Sequence, residues 1–124
     1  NLRRFRELDV SNRGKCIVTS NIPADNVYLQ TKYQDLLCDI EAVKDNAGLM
    51  AIKFFAQMGV KKIYLAGFDG YSHDEKENYG ESTMAFVTRT AVLHAINQGM
   101  TEMLKKYSAL VELNFLTKPH YVKI

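Results

Sequence analysis

The apolar positions of this chain fall into short blocks separated by polar, glycine-containing segments. Residues 15–20 (KCIVTS) are rich in β-branched side chains and follow Asn12-Arg13-Gly14, so they predict a buried strand leaving a turn. Residues 21–26 contain Pro23 and read as a polar loop. Residues 28–34 show no clear period and are expected to form a loop or one irregular turn. Leu36, Leu37, Cys38 and Ile40 make residues 35–40 a second short strand candidate. Asp45 or Asn46 then offers a side-chain oxygen to orphan backbone N–H groups, the signature of a helix N-cap. Leu49, Ile52, Phe55, Ala56 and Gly59 recur at helical spacing behind it, and Gly59 is a natural terminator.

Residues 61–66 are almost continuously apolar after Lys61 and Lys62, which predicts a central strand buried on both faces. Helix, glycine turn and strand together make half of a βαβ unit, with parallel strands and a right-handed crossover. Residues 67–82 form a polar segment too long for a simple turn, and long loops in compact domains are often functional. A second helix is expected over residues 83–107, with Phe86, Leu93, Ile96, Met100, Met103, Leu104 and Tyr107 as its stripe. Gly99 interrupts that helix and could divide it into two pieces. Residues 110–116 alternate apolar and polar, as in a strand near a sheet edge, and Pro119 closes the element. The expected fold is therefore α/β, a Rossmann-like three-layer domain with a mostly parallel sheet. One domain is expected to cover residues 1–124. The lack of an initial methionine suggests excision from a longer chain.

Composition narrows the classes. With 47% hydrophobic and 24% charged residues the chain has ordinary globular composition, which argues against extensive disorder. A net charge of +2 is too small to argue for nucleic acid or an anionic membrane. Arg3, Arg4 and Arg6 are the one local basic excess and read first as a solvated terminus, second as a phosphate-binding arm. No apolar run approaches transmembrane length and no signal peptide is present, so the cytoplasm is the expected location. Cys16 and Cys38 lie in runs expected to be strands and read as buried free thiols, without metal-ligand spacing.

In an open parallel sheet, ligands bind beyond the carboxyl ends of the strands. Ser20-Asn21, the helix start at Asn46 and Gly48, and the segment Gly67-Phe68-Asp69-Gly70-Tyr71 would all lie at that edge. The helix start favours phosphate or carboxylate through its free N–H groups and dipole, and Gly48 allows close approach to the backbone. Asn46 could equally only cap, and Gly48 only pack. Asp69 could accept hydrogen bonds from a ligand hydroxyl or merely form a tight turn with Gly70. Tyr71 and Tyr79 could stack on a base or sugar, or anchor the loop. His73, His94 and His120 have no pairwise metal spacing, and no Ser-His-Asp or Cys-His arrangement is evident. His94 lies off the main apolar stripe.

Residues 46–50 (NAGLM) and 58–71 (MGVKKIYLAGFDGY) resemble two related groups. One is the bacterial sialyltransferases of Rossmann-like fold. The other is the C-terminal domain appended to HMG-CoA-lyase-like aldolases of the 4-hydroxy-2-oxovalerate type, common in surface-polysaccharide gene clusters. Residues 20–21 and 113–117 also look like the second group. The first resemblance implies a cytidine-nucleotide site at Asn21, Asn46, Gly48, Gly67, Tyr71 and Tyr79, with His94 as the nearest match to the catalytic histidine. The chain departs from that pattern in a shorter spacing from His94 to the final strand and in having no obvious acceptor lid. The second resemblance implies an accessory domain, because the aldolase reaction needs a TIM barrel that 124 residues cannot supply.

The expectation is thus an accessory domain binding a small anionic ligand or nucleotide sugar beside the catalytic barrel of a parent aldolase. The alternative is a glycosyltransferase-like enzyme. No cofactor or metal is expected, and an apolar face left by a missing partner could make the chain a homo-oligomer.

Overall fold

Helix formation is dictated most clearly after Asn46. In a computed structural model, which describes residues 2–72 and 90–124, Asn46 caps helix α3 (Ala47–Gln57) by accepting a hydrogen bond from the Leu49 amide at 3.1 Å. The helix ends where Gly59 takes φ +88°, a conformation costly for any residue with a Cβ. The Val60 amide reaches back to the Phe55 carbonyl and the Gly59 amide to that of Ala56, the paired bonds of a Schellman motif. The buried face is Leu49, Met50, Ile52 and Phe54. Phe55, expected inside, is 40% exposed and meets the Phe54 ring edge-on at 5.4 Å.

The chain divides into two compact units, Asn1–Leu37 and Cys38–Ile124. The first holds helices α1 (Leu2–Arg6) and α2 (Val10–Arg13) and strands β1 (Ile17–Thr19) and β2 (Leu29–Thr31), followed by a 3-10 turn over Tyr33–Leu36. β1 and β2 pair in parallel, Val18 opposite Gln30. Strand β2 corrects the expected loop at 28–34. Its Leu29 and Gln30 are exposed, so no buried face marks it in the sequence. The strand expected over 35–40 is not formed. Leu36 is buried at the end of the 3-10 turn and residues 38–40 are irregular, since a run this short is equally compatible with helix or strand. On α1, Arg3 and Arg4 approach Glu7, with Arg4 at 3.1 Å; these contacts are exposed.

The second unit begins with irregular residues and a 3-10 turn (Glu41–Val43), then runs α3, β3 (Lys62–Leu65), α4 (Thr90–Tyr107) and β4 (Glu112–Phe115). β3 and β4 are parallel neighbours, Ile63 opposite Leu113 and Leu65 opposite Phe115, with α4 in the connection. These four side chains meet Leu49, Ile52, Met100, Met103, Leu104, Tyr107 and Val122 in one core. Full burial of a side chain such as Leu49 or Ile52 is worth about 2 kcal/mol. On the opposite face the two strands present Lys62, Tyr64 and Glu112, with Tyr64 60% exposed. The expectation that β3 is buried on both faces is therefore corrected. Lys62 pairs with Glu112 at 3.6 Å there, as befits a solvated face.

Helix α4 is continuous through Gly99, contrary to the expected break. A Cβ at Gly99 would lie 3.0 Å from Val43 and 3.1 Å from Ile40, so the glycine admits the preceding turn against the helix. The strands form two separate pairs among the described residues, and the architecture is mixed α/β. Both thiols are free, but each is only part-buried and neither cysteine lies in a strand, contrary to expectation; the Cys38 thiol is directed at the Val43 carbonyl at 3.5 Å. Among the described residues no helix is long and apolar enough to cross a membrane.

Candidate functional site

The loop after β3, the start of α3 and Met100 of α4 converge on one cleft. Past β3 the chain needs a sharp turn, and Gly67 supplies it with φ +76°. Its amide donates to the Thr117 hydroxyl at 2.8 Å, tying the loop after β3 to the loop after β4. The next side chain, Phe68, lies across the start of α3. A Cβ on Gly48 would fall 2.6 Å from the Phe68 ring, so only glycine admits the ring in this position. Gly48 thus packs closely, as one of its two expected roles required.

Gly70 sits at φ +88° in a similarly tight place. A Cβ there would lie 2.8 Å from Asn97 Oδ1, 2.9 Å from Tyr121 Cβ and 3.0 Å from Val122 Cγ2. The adjacent Tyr71 is held by a reciprocal pair of hydrogen bonds. Its amide donates to Asn97 Oδ1 at 2.7 Å, and its carbonyl accepts from Asn97 Nδ2 at 2.8 Å. Asn97 is buried on α4 and imitates the backbone of a neighbouring strand. The Asp69 carbonyl accepts from the amides of His120, Tyr121 and Val122 at 3.2, 2.9 and 3.3 Å, fixing the C-terminal segment.

The resulting cleft has a volume of about 310 Å³ and is lined by Asn46, Gly48, Gly67, Phe68, Gly70, Tyr71 and Met100. Four residues singled out in the sequence, Asn46, Gly48, Gly67 and Tyr71, therefore come together. The cap uses Asn46 Oδ1 on Leu49, and the Met50 amide bonds to the Asn46 carbonyl. The amides of Ala47 and Gly48, in the first turn, have no intrahelical acceptor. They are the donors an anion would meet at the positive end of the helix.

Other expected site residues are not among those lining this cleft. Ser20 and Asn21 belong to the first unit and are engaged locally: the Ser20 hydroxyl accepts from the Tyr33 amide at 2.9 Å, and Asn21 accepts from the Thr19 hydroxyl at 2.6 Å. Asp69 is not among the residues lining the cleft; its Oδ1 is buried with no hydrogen-bond partner among the described residues. Tyr79 and His73 lie outside the described residues. His94 lines a second, larger cleft together with Asn97. Among the described residues no group of three or more His, Cys, Asp or Glu side chains could hold a metal ion.

Asn97 was not legible as a site residue, although the signal existed. It stands four residues after Leu93 and three before Met100, an amide inside an apolar stripe. Such a residue, once buried, must find partners. In comparisons with known proteins, the chain matches no protein-family model, no curated protein and no solved structure.

Proposed function

We propose that this chain is an accessory ligand-binding domain of Rossmann-like, three-layer build with a mostly parallel sheet, carried by a larger aldolase-type polypeptide. The aldolase is of the 4-hydroxy-2-oxovalerate kind, linked to surface-polysaccharide metabolism. The parent's barrel supplies the carbon–carbon chemistry, and this domain binds a small anion or the phosphate part of a nucleotide sugar. One observation carries the site: Asn46, Gly48, Gly67 and Tyr71, drawn from two distant stretches of chain, line one cleft at the start of α3. The unpaired amides of the first turn supply donors, and the Phe68 and Tyr71 side chains supply flat apolar surface. A cleft of about 310 Å³ has the size of a small-metabolite site.

The experiment is an amide-shift titration of the full chain with cytidine and uridine mono- and diphosphates. Shifts concentrated at Ala47, Gly48, Gly67 and Tyr71 support the reading, and their absence at millimolar nucleotide overturns it. A second reading, a glycosyltransferase-like enzyme with His94 as the base, draws on one observation. His94 lines a cleft bounded by Asn97, the residue that holds Tyr71. It requires turnover of a nucleotide sugar that disappears in His94→Ala.

A further inference from the structure

The larger cleft, about 540 Å³, lies between α4 and the C-terminal segment. Its lining comes from two independent patterns. On α4, His94, Asn97, Gln98 and Thr101 are spaced i, i+3, i+4 and i+7, a single polar stripe beside the apolar one. In the C-terminal segment Val122 is 2% exposed and sunk into the core. Its neighbours Tyr121 and Lys123 line the cleft, together with His120.

The walls are fixed although one is irregular. Three amides of the segment bond to the Asp69 carbonyl, and the Lys123 amide donates to the Thr101 hydroxyl at 3.1 Å. Thr101 in turn donates to the Asn97 carbonyl at 2.8 Å. These bonds use backbone groups, Asn97 and Thr101. Among the described residues the side chains of His94, Gln98, His120 and Lys123 make no hydrogen bond or ion pair, and all four residues are exposed. No carboxylate is among the described residues lining the cleft. The described lining carries one lysine and two histidines, nitrogen donors that suit an anion. An ammonium and two imidazoles act as separate point donors, one carried by α4 and two by the C-terminal segment. That suits a tetrahedral oxyanion better than a planar carboxylate, which an arginine fork would match. The volume leaves room for a sugar-sized body beside the anion.

We infer that this cleft is a binding site for a phosphate monoester of a sugar-sized metabolite. Lys123, His94 and His120 take the phosphate, and Gln98 and Tyr121 face the remainder of the ligand. The inference stands without the proposed ligand of the α3 cleft, because the two clefts share no lining residue among the described residues.

Ribose 5-phosphate, with ribose as the control, is the probe for a titration of the full chain followed in imidazole and amide resonances. The phosphate ester is expected to shift the His94 and His120 ring signals and the Thr101 and Lys123 amides, whereas ribose shifts none of them. Lys123→Ala is expected to weaken binding about tenfold, equivalent to about 1.4 kcal/mol, and Lys123→Arg to retain it within about threefold. Lys123 is exposed, so neither variant disturbs the core. The inference is overturned by equal shifts with ribose, or by unchanged affinity in Lys123→Ala. It is also overturned if millimolar ester produces no shift, or shifts confined to Gly48, Gly67 and Tyr71.

Discussion

Asn97→Ala tests the connection between α4 and the loop after β3. Asn97 is 8% exposed and makes two hydrogen bonds to one residue, at 2.7 Å to the Tyr71 amide and 2.8 Å to its carbonyl. Alanine removes both and leaves a backbone donor and acceptor behind. A hydrogen bond contributes about 1 kcal/mol net, and a buried group left without a partner costs about 1–3 kcal/mol. Tyr71 is only half-buried, so water reaches part of the loss. The expected destabilisation is therefore about 2–3 kcal/mol, near the lower end of the sum. Asn97→Asp separates the two bonds: it keeps an acceptor for the Tyr71 amide but sets a carboxylate oxygen against the Tyr71 carbonyl. It should destabilise as much as alanine or more. The chain contains no tryptophan, so urea unfolding is best followed by far-UV circular dichroism, comparing midpoints at constant slope. A loss in Asn97→Ala within about 0.5 kcal/mol, the range of ordinary surface changes, would refute the argument.

Gly59 and Gly70 share φ +88° but differ in surroundings, because a Cβ at Gly59 meets nothing within 4 Å. Gly59→Ala should cost about 1–2 kcal/mol of backbone strain, and Gly70→Ala a further 1–3 kcal/mol of overpacking, read as the difference in urea midpoints. Asn46→Ala should lose about 1 kcal/mol of cap energy while Asn46→Asp keeps it; equal losses in both would place the role of Asn46 elsewhere. Burial, followed by the negative charge of Cys38 and Asp39, raises the Tyr107 pKa above its ordinary 10.0. The folded state then favours the neutral phenol, so this contribution to stability is present below pH 10.0 and is lost as pH rises through the raised value. Urea midpoints should fall across that range, and Tyr107→Phe should flatten the fall.

Much of the second unit was legible because its signals are local. An Asn cap, a glycine terminator and an apolar stripe act within one or two turns of backbone, so α3 and α4 follow from residues 46–59 and 93–107 themselves. The strands at 17–19, 62–65 and 112–115 were legible from β-branched and apolar runs. Asn46 and Gly48 were expected beside Gly67 and Tyr71 because a strand was expected to lead into α3; that strand is not formed, and it is the Phe68 ring lying against Gly48 that brings the two segments together.

What the sequence left open turns on contacts between distant residues. Strand β2 is held by its partner β1 and buries almost nothing of its own, so no periodicity marks it. Leu36, Leu37, Cys38 and Ile40 carry apolar side chains that an irregular path accommodates as well as a strand would. Phe54 and Phe55 are adjacent and equally apolar, and only the packing of the helix against its neighbours turned Phe54 inward. Gly99 looked like a break because glycine is a poor helix former, by about 1 kcal/mol against alanine. Its reason is the approach of Ile40 and Val43, more than fifty residues away. Asn97 and Tyr71 are likewise remote in sequence, and the amide finds its partners only when α4 lies beside the loop after β3. The sequence by itself determined the cap and terminator of α3 and the apolar stripe of α4, whereas α1 and α2 were not expected from it. Tertiary structure decided which side chains shape the cleft, because burial and hydrogen-bond satisfaction belong to the packed chain and not to any one segment.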